Sequence, residues 1–264
     1  MYHTNMRKEE MTDREIIDYI NEGANFYISL FGKAEHMEIV DKDCYSYVKP
    51  KATEYGISII YNVHIDDLSS EEQKNIVSEM KNLHMPIWLD LTVSDEVFFQ
   101  VFGRNKVHGQ TVFRDNDEIY MAILPNNKGI EPIGSEKIVK VQTQEEFAAW
   151  SKIANDVIAN GYQDIHPIYH YSLCRDKIMK CYILYDQSIP AAVASIIDNN
   201  GIASLEFVAT MPEMRRRGFA REVCERALYD AFQDGAKIVT VRAIDARAGR
   251  LYQSMGFKAY NYVI

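Results

Sequence analysis

Apolar and polar positions alternate between strand and helix spacings throughout the C-terminal half of the chain. A short strand is predicted at Lys137–Gln142, and apolar residues then recur at helical spacing from 147 to 157. Thr143 and Glu146 stand three residues apart at the start of that helix, the pattern of a capping box. Three strand patterns follow, at Met179–Tyr185, Ala191–Ile197 and Ile202–Val208. Because short turn segments separate them, they predict an antiparallel meander.

The pattern continues as a helix, a strand and a shorter helix. Apolar residues recur at helical spacing from 220 to 231. Lys237–Arg242 is a predicted buried strand, and since a helix connects it to the meander, we expect it to pair in parallel with the third meander strand. A short helix is predicted from Arg247 to Met255, ending at Gly256.

The N-terminal half shows similar patterns with weaker periodicity. Helices are predicted at Asp13–Asn21, Ser70–Leu83 and Glu96–Phe102, and strands at Cys44–Val48, Ile57–His64 and Pro86–Val93. Gln110–Phe113 and Glu118–Leu124 are predicted to form a hairpin. The order of elements around 87–103 echoes that around 238–257, so this half is either a degenerate copy of the C-terminal unit or similar to it by chance.

The segment Pro125–Gly134 is rich in turn residues and predicts a domain boundary. A chain of 264 residues is long enough for one large domain or two small ones. We therefore expect an α/β (α+β) protein, with an N-terminal α/β domain at 1–133 and a C-terminal domain at 134–264.

The distribution of charge narrows the choice of partner. The net charge of −9 argues against nucleic acid or an anionic membrane as the principal partner. Residues 201–264 nevertheless carry ten Lys/Arg and seven Asp/Glu, a net charge of +3. A basic segment in an acidic protein suits a small anionic ligand better than a polymer.

The four cysteines show neither a CxxC pair nor histidine partners at zinc-finger spacing. They are Cys44, Cys174, Cys181 and Cys224. We expect reduced thiols and no metal site. The first residues lack the apolar core of a signal peptide, and no apolar run approaches the ~18 residues that cross a membrane. These features predict a cytoplasmic protein, monomer or homodimer, with no membrane partner.

An arginine-rich turn joins the third meander strand to the helix that follows it. The segment from Glu206 to Ala220 ends an apolar strand, passes through three arginines and one glycine, and starts a helix at once. A helix N-terminus presents unpaired backbone N–H groups, and the helix dipole favours negative charge there. The turn is therefore suited to hold a phosphate or pyrophosphate. The alternative is a surface turn with solvated arginines.

Two motifs give the C-terminal half a resemblance to a known family. The residues from Arg215 to Ala220 match the pattern Q/R-x-x-G-x-G/A, and those from Leu251 to Phe257 match LYxxxGF. In this order of elements the region from Lys137 to the C-terminus resembles the GNAT superfamily of acyl-CoA-dependent N-acyltransferases. The resemblance implies a mixed sheet flanked by helices, packed here against a smaller or degenerate N-terminal domain.

The resemblance also implies which residues bind the acyl donor. Backbone amides of the turn would hold the pyrophosphate of acetyl-CoA, and Gly218 would let the backbone approach the phosphates closely. Val208 and Thr210 would offer main-chain partners to the pantetheine arm and the acyl carbonyl. The predicted donor-binding residues are Val208, Thr210, Arg215, Arg216, Arg217, Gly218, Phe219, Ala220 and Asp245. Asp245 stands near where many members carry asparagine.

Two residues are candidates for the chemistry. Tyr252 stands where the family places a phenol that protonates the departing thiolate of CoA, a general-acid role. The alternative is a core tyrosine on the apolar stripe of its helix. Glu206, expected in phase with Val208 and Thr210 on its strand, could accept a proton from the amine. The alternative is an ion pair with Arg242 on the neighbouring strand.

The loop from Tyr162 to Tyr171 lies where this family builds its acceptor pocket. His166, Tyr169 and His170 are its candidate substrate-binding residues. Pro167 argues against a helix that would align the two histidines as metal ligands. The alternative is a packed aromatic loop without contact to a substrate.

Only seven residues follow Phe257, so the second strand of the family's closing hairpin has no place after it. Either the sheet ends there, or the N-terminal half supplies the strand, for which Glu118–Leu124 is the candidate. In the second case the two halves form one body with the acceptor pocket between them. Asp66 and Asp67 stand where the N-terminal half would need an arginine turn, so we expect one CoA site.

The sequence therefore predicts an enzyme, an N-acetyltransferase that moves the acetyl group of acetyl-CoA to a primary amine by direct attack in a ternary complex. The acceptor is a small molecule or a peptide, and the acidic remainder of the chain favours a cationic one. A second hypothesis is a CoA-binding regulatory or interaction module with little turnover. A third is a plain structural domain. Cys224 lies on an apolar helix stripe and is not expected to act as a nucleophile.

Overall fold

The fold is taken from a computed structural model, which describes residues 11–52, 56–89, 91, 112–113, 119–125, 134–158 and 170–260. The predicted helix at Glu96–Phe102 lies outside these residues. No helix within them is long and apolar enough to cross a membrane.

Two sheets and six helices make up the described part of the chain. The helices are α1 (Asp13–Ser29), α2 (Ser70–Asn82), α3 (Gln144–Val157), α4 (Tyr171–Arg175), α5 (Phe219–Gln233) and α6 (Ala246–Ser254). The strands of the first half are β1 (Met37–Asp41), β2 (Ser46–Pro50), β3 (Ile59–Tyr61), β4 (Ile87–Trp88), β5 (Val112–Phe113) and β6 (Ile119–Ile123). Those of the second half are β7 (Ile138–Lys140), β8 (Met179–Asp186), β9 (Ile189–Asn199), β10 (Ile202–Thr210), β11 (Ile238–Ala243) and β12 (Lys258–Tyr260).

Capping boxes start three of the helices. The box predicted at α3 is present: the Thr143 hydroxyl accepts from the Glu146 amide at 3.2 Å, and the Glu146 carboxylate accepts from the Thr143 amide at 3.1 Å. Thr12 and Ser69 cap α1 and α2 in the same way. Each box satisfies amide groups that the helix leaves unpaired, which fixes where the helix begins.

The small sheet belongs to the N-terminal half and has the order β1-β2-β3-β4-β5. Its first three strands pair antiparallel, and β3, β4 and β5 pair in parallel. Ile60, Met80 and Ile87 form part of its core and are fully buried. Strand β1 and helix α4 were not predicted from the sequence, and α1 continues to Ser29, beyond the predicted end at Asn21.

The large sheet has the order β12-β6-β11-β10-β9-β8-β7. Strands β8, β9 and β10 form the predicted antiparallel meander, and β10 pairs in parallel with β11, also as predicted. Helices α1 and α3 pack against one side of this sheet, with Ile20 and Trp150 in the shared core. Helices α5 and α6 pack against the other side, with Cys224 and Tyr252 in that core. These two sides are called the α1 face and the α5 face.

The predicted hairpin of Gln110–Phe113 and Glu118–Leu124 is wrong. Strand β5 pairs with β4 in the small sheet, whereas β6 lies in the large sheet between β11 and β12. Two strands that are close along the chain often pair as a hairpin. Here β6 instead pairs with β11 and β12, which have no other strand between them.

The second expectation for this segment, that the N-terminal half supplies a strand to the C-terminal sheet, is confirmed. Ala122 stands opposite Thr240 on β11 and also opposite Lys258 on β12. Met121 is fully buried against the α5 face. The large sheet is therefore built from both halves of the chain.

We expect residues 134–264, produced alone, not to fold cooperatively. Without β6, strands β11 and β12 lose their shared neighbour and expose unpaired backbone groups and apolar side chains. Far-UV circular dichroism during thermal unfolding, with the whole chain as control, measures this. A cooperative transition in the fragment alone would show that the sheet closes without β6.

Candidate active site

A β-bulge interrupts β10 in the middle of the large sheet. Glu206 stands opposite Ser195 on β9 and Ala209 opposite Val193, with a shift of register between them. Phe207, inside the shift, has a φ of +54°, unusual for a residue that is not glycine. The Ser195 hydroxyl donates to the Glu206 carbonyl at 3.1 Å and ties β9 to β10 there. A bulge bends its strand and leaves backbone groups outside the regular ladder.

Strands β10 and β11 separate just before the bulge. Their parallel ladder joins Ile202–Ser204 to Ile238–Thr240 and goes no further among the described residues, although the strands run on to Thr210 and Ala243. Beyond the ladder, no pairing between β10 and β11 is found at Val208 and Thr210 in the part of the chain that the structure describes. A ligand with its own amide groups can pair with such an edge as an added strand.

Val208 and Thr210 lie on this separated part of β10, where the sequence placed the main-chain partners of a donor. The Thr210 hydroxyl oxygen is buried and has no hydrogen-bond partner among the described residues. Since buried polar groups are nearly always hydrogen-bonded, this position suits a polar ligand group.

The arginine turn follows at the end of β10. Pro212–Met214 form a single 3-10 turn, and Arg216 and Gly218 then adopt φ values of +66° and +89°. Gly218 is the N-cap of α5. In the described part of the chain, no backbone or side-chain acceptor is found for the amides of residues 216–221, while the Glu222 amide donates to the Gly218 carbonyl at 3.1 Å. The turn and the first helical turn together therefore present a set of unpaired donors.

The three arginines of the turn have different surroundings. Arg215 donates to the Thr210 carbonyl at 3.2 Å, which braces the turn against its strand. Arg217 makes an ion pair of 2.8 Å with Asp186 and covers the ring of Phe219 at 4.7 Å. Arg216 is exposed. Part of the positive charge at the turn is thus balanced within the protein, and Arg216 is the residue best placed to meet a ligand from solvent.

A carboxylate also lies at this turn. A Cβ atom on Gly218 would stand 3.6 Å from Glu222 Oε1, and Ala220 on the same first turn of α5 is half-buried. A negative side chain here is stabilised by the helix dipole, in the same way as a bound anion would be.

Tyr252 lies on α6 at the α5 face and is 6% exposed. Its ring packs against that of Phe257, with centroids 5.7 Å apart. Burial raises the pKa of the Tyr252 phenol, and the nearby Cys224, Glu206 and Asp245 raise it further. The phenol is therefore protonated at neutral pH, as a proton donor must be. Its burial also fits the alternative of a core tyrosine.

Asp245 is the N-cap of α6. Its carboxylate accepts a hydrogen bond from the Ala248 amide at 2.7 Å, and this bond lowers the pKa of Asp245. A helix-capping role accounts for an acidic residue at this position. Cys224 lies in the core of the α5 face as predicted, and burial raises the pKa of its thiol.

Glu206 makes the ion pair that the sequence offered as the alternative to a catalytic role. Its carboxylate lies 3.7 Å from Arg242 Nη2 on β11. The Arg242 guanidinium covers the ring of Tyr27 at 4.8 Å and lies 6.0 Å from that of Trp88. Both rings come from the N-terminal half, so this charged cluster joins the two halves directly beside the bulge.

The expectation that Glu206 is in phase with Val208 is wrong. Glu206 lines a small cavity with Ile20 and Ala24 on the α1 face, whereas Val208 packs against the α5 face. The extra residue in the bulge reverses the alternation of side chains along β10. Two residues of the same strand thus serve opposite faces of the sheet.

Tyr27 is a residue of this region that sequence reasoning missed. Its ring centroid lies 6.0 Å from that of Phe207, which in turn meets the Trp150 ring edge-on at 5.5 Å. The apolar stripe of α1 continues past Asn21 and could have indicated that Tyr27 is part of the helix. The stripe does not indicate that Tyr27 contacts β10. Helix α1 therefore covers the bulge from the α1 face.

The proposed acceptor loop lies mostly outside the described residues. His166 and Tyr169 are not among them, and His170 is an exposed residue just before α4. In the described ranges, no group of three or more His, Cys, Asp or Glu side chains could hold a metal ion. Cys174 and Cys181 are free thiols with their sulfurs 3.4 Å apart.

Comparison with known proteins identifies the C-terminal region. Residues 142–257 match the model of the acetyltransferase (GNAT) family. None of the curated proteins compared with the chain matches it. A GNAT-family protein from Novosphingobium aromaticivorans is 19% identical over 55% of this chain and 60% of its own, with a TM-score of 0.44. The match thus spans less than two thirds of that protein.

Two solved structures match over most of the chain. A GCN5-related N-acetyltransferase from Kribbella flavida is 14% identical over 91% of both chains, with a TM-score of 0.59. Another from Sphaerobacter thermophilus is 13% identical over 84% of this chain and 79% of its own, with a TM-score of 0.55. At these identities the likeness concerns the fold. By the family match, residues 142–257 form a domain of the acetyltransferase (GNAT) family.

Proposed function

We propose that this protein is an acyl-CoA-dependent N-acyltransferase that moves an acetyl group from acetyl-CoA to a primary amine. The observation that carries the proposal is the course of β10. This strand leaves its partner β11 at a bulge and ends at a turn of unpaired amides that caps α5. One continuous segment thus offers backbone groups to an amide-containing arm and, further along, to a pyrophosphate.

The donor would lie along the separated edge of β10. Its pantetheine amides would pair with the backbone near Val208 and Thr210, and its pyrophosphate would accept hydrogen bonds from the amides of 216–220. Gly218 and Phe219 would contact the phosphates only through their backbone N–H groups. Arg216 would add positive charge from the solvent side.

The transfer itself requires two proton movements. The amine nitrogen attacks the thioester carbonyl carbon, a C–N bond forms, and the C–S bond breaks. The amine loses a proton, and the leaving thiolate gains one. Tyr252, kept protonated by burial, would supply the proton to the sulfur. Both substrates would be bound together, so that proximity and backbone donors to the carbonyl oxygen lower the barrier.

Glu206 would receive the proton of the amine, directly or through a water molecule. The ion pair with Arg242 orients its carboxylate beside the bulge, where an acceptor approaching from the α1 face would arrive. The acceptor pocket would then lie between the two halves of the chain, with Tyr27 as one wall. His166, Tyr169 and His170 remain proposed substrate-binding residues.

The second candidate function is a CoA-binding regulatory or interaction module. Two observations favour it: Glu206 is engaged by Arg242, and Tyr252 packs in the core against Phe257. Such a module would bind the donor without transferring its acyl group at an appreciable rate.

Donor binding and turnover distinguish these functions. We expect millimolar acetyl-CoA to raise the midpoint of thermal unfolding, since a ligand that binds the folded state stabilises it. We also expect thiol release from acetyl-CoA to depend on the amine when a panel of small amines and peptides is supplied. Reactions without the amine and reactions without the protein are the controls. Stabilisation without thiol release would favour the module, and absence of stabilisation would leave only a structural role.

A further inference from the structure

Two cysteines have their sulfur atoms in contact on the α1 face of the large sheet. Cys174 lies on α4 and Cys181 on β8, and their Sγ atoms are 3.4 Å apart. Both thiols are free. The other two cysteines lie in different cores, Cys44 beside the small sheet and Cys224 on the α5 face. Among the residues that the structure describes, Cys174 and Cys181 are therefore the pair of thiols that can join.

The backbone between the two cysteines returns tightly from helix to strand. The Lys177 amide donates to the Cys174 carbonyl at 3.1 Å, and the Ile178 amide donates to the Leu173 carbonyl at 3.0 Å. Lys177 has a φ of +59°, which reverses the direction of the chain between α4 and β8. These bonds hold α4 against the start of β8, so the contact between the sulfurs is set by the local course of the backbone.

The two cysteines differ in their access to solvent. Cys181 is fully buried, whereas Cys174 is half-buried at the rim of the same core. Burial raises the pKa of the Cys181 thiol well above its ordinary value, and the hydrogen bond that it shares with Cys174 raises the pKa further. Because a thiolate is the reactive form of cysteine, Cys181 does not react with a dissolved oxidant by itself. Cys174 is the more accessible of the two and meets the oxidant first.

The separation of the sulfurs is short enough for a covalent bond to close. A disulfide bond is about 2.0 Å long, so the two atoms must approach by about 1.4 Å. Cys174 lies on a helix of only five residues. A rotation of its side chain with a small shift of this short helix brings the sulfurs together, and β8 keeps its place in the sheet.

We propose that Cys174 and Cys181 form a redox modification site that small hydroperoxides, such as hydrogen peroxide, convert to an intramolecular disulfide. The Cys174 thiolate attacks one peroxide oxygen, the O–O bond breaks, and the other oxygen leaves as water with the proton that Cys174 has lost. Cys174 is then a sulfenic acid.

The second step joins the two sulfurs. Cys181 attacks the Cys174 sulfur, the S–O bond breaks, and the hydroxide leaves as a second water with the proton of Cys181. Two thiols are oxidised by two electrons in all, and one peroxide is reduced to two waters. The disulfide joins α4, which directly follows the proposed acceptor loop, to β8. The site itself does not depend on the proposed function.

Peptide mass spectrometry of the whole chain after treatment with hydrogen peroxide tests the proposal. The remaining thiols are blocked with iodoacetamide before digestion. We expect linked peptides that contain Cys174 and Cys181 and are lighter than the two reduced peptides by two hydrogen atoms. Since these sulfurs are already in contact, this disulfide should exceed any other cysteine pair at least tenfold. Dithiothreitol should restore both thiols.

Variants separate the roles of the two sulfurs. In Cys181→Ser the sulfenic acid on Cys174 has no partner, so dimedone should label it at least tenfold more than in the wild type, and excess peroxide should convert it to sulfinic acid. In Cys174→Ser the buried Cys181 should stay unmodified. Cys44→Ser is the matched control, because Cys44 is also half-buried and lies outside the pair. It should form the disulfide as the wild type does.

Circular dichroism checks that each variant is folded, and the wild-type measurement decides the question even where a variant is not. Absence of the disulfide between Cys174 and Cys181 in the peroxide-treated wild type would overturn the proposal. Equal dimedone labelling of Cys174 in the wild type and in folded Cys181→Ser would also overturn it, since Cys181 would then have no part in removing the sulfenic acid.

Discussion

Replacing Tyr252 with phenylalanine should lower kcat about 100-fold while the Kd for acetyl-CoA stays unchanged, because a general acid typically contributes at least that factor to turnover. The phenylalanine ring fills the same space, so the packing against Phe257 is kept and only the hydroxyl is lost. Steady-state thiol release gives kcat, and calorimetric titration with acetyl-CoA gives the Kd.

The pH dependence provides a second measurement on Tyr252. Its pKa is raised by burial, so the phenol keeps its proton as the pH rises, and the wild-type kcat should show no loss between pH 8 and pH 10 from this residue. Tyr229→Phe on α5, a half-buried tyrosine away from the turn, is the matched control and should leave kcat unchanged. Full turnover in the Tyr252 variant would assign this tyrosine to the core alone.

Reversing the charge of Arg216 should weaken acetyl-CoA binding about 100-fold. Two unit charges 4 Å apart interact by about 1 kcal/mol in water, so changing one positive charge to a negative one beside a pyrophosphate costs roughly 2–3 kcal/mol. Arg216→Glu is preferable to a change at Arg217, since Arg217 is already paired with Asp186 and its replacement would leave that carboxylate alone. Calorimetric titration with acetyl-CoA measures the effect.

Lys237→Glu is the matched control, because this lysine is also exposed, lies just before β11 at the far end of the sheet from the turn, and carries the same charge. Its affinity for acetyl-CoA should remain that of the wild type. The loss in Arg216→Glu should shrink as salt is added, since exposed charges are screened at high ionic strength. An affinity that does not change with Arg216→Glu would place the pyrophosphate away from this turn.

Local features of the chain could be predicted because their causes are local. The capping box that starts α3 involves only the four residues from Thr143 to Glu146. Gly218 and Gly256 both adopt the positive φ values that their turn positions require. The meander and the parallel return of β11 followed from strand length, turn residues and the handedness of crossovers. The candidate donor site was located in the same way, from a glycine turn in front of a helix.

The division of the chain into domains at 1–133 and 134–264 stays a prediction, and so do the roles of the site residues. Strand β6 shows why the division is difficult to judge from sequence. Its five residues are all apolar and would suit a central strand of either sheet, and only the position between β11 and β12 gives β6 a place in the large sheet.

The sequence alone determined where most of the described helices begin, the meander, the arginine turn and the family resemblance, because capping, periodicity and turn chemistry act within a few residues. The tertiary structure alone decided that β5 and β6 enter different sheets, that the bulge turns Glu206 toward α1, and that Tyr27 and Trp88 reach Arg242. Those features depend on pairs of residues far apart in the chain. Their free energy comes from burial and strand pairing, which no local pattern encodes.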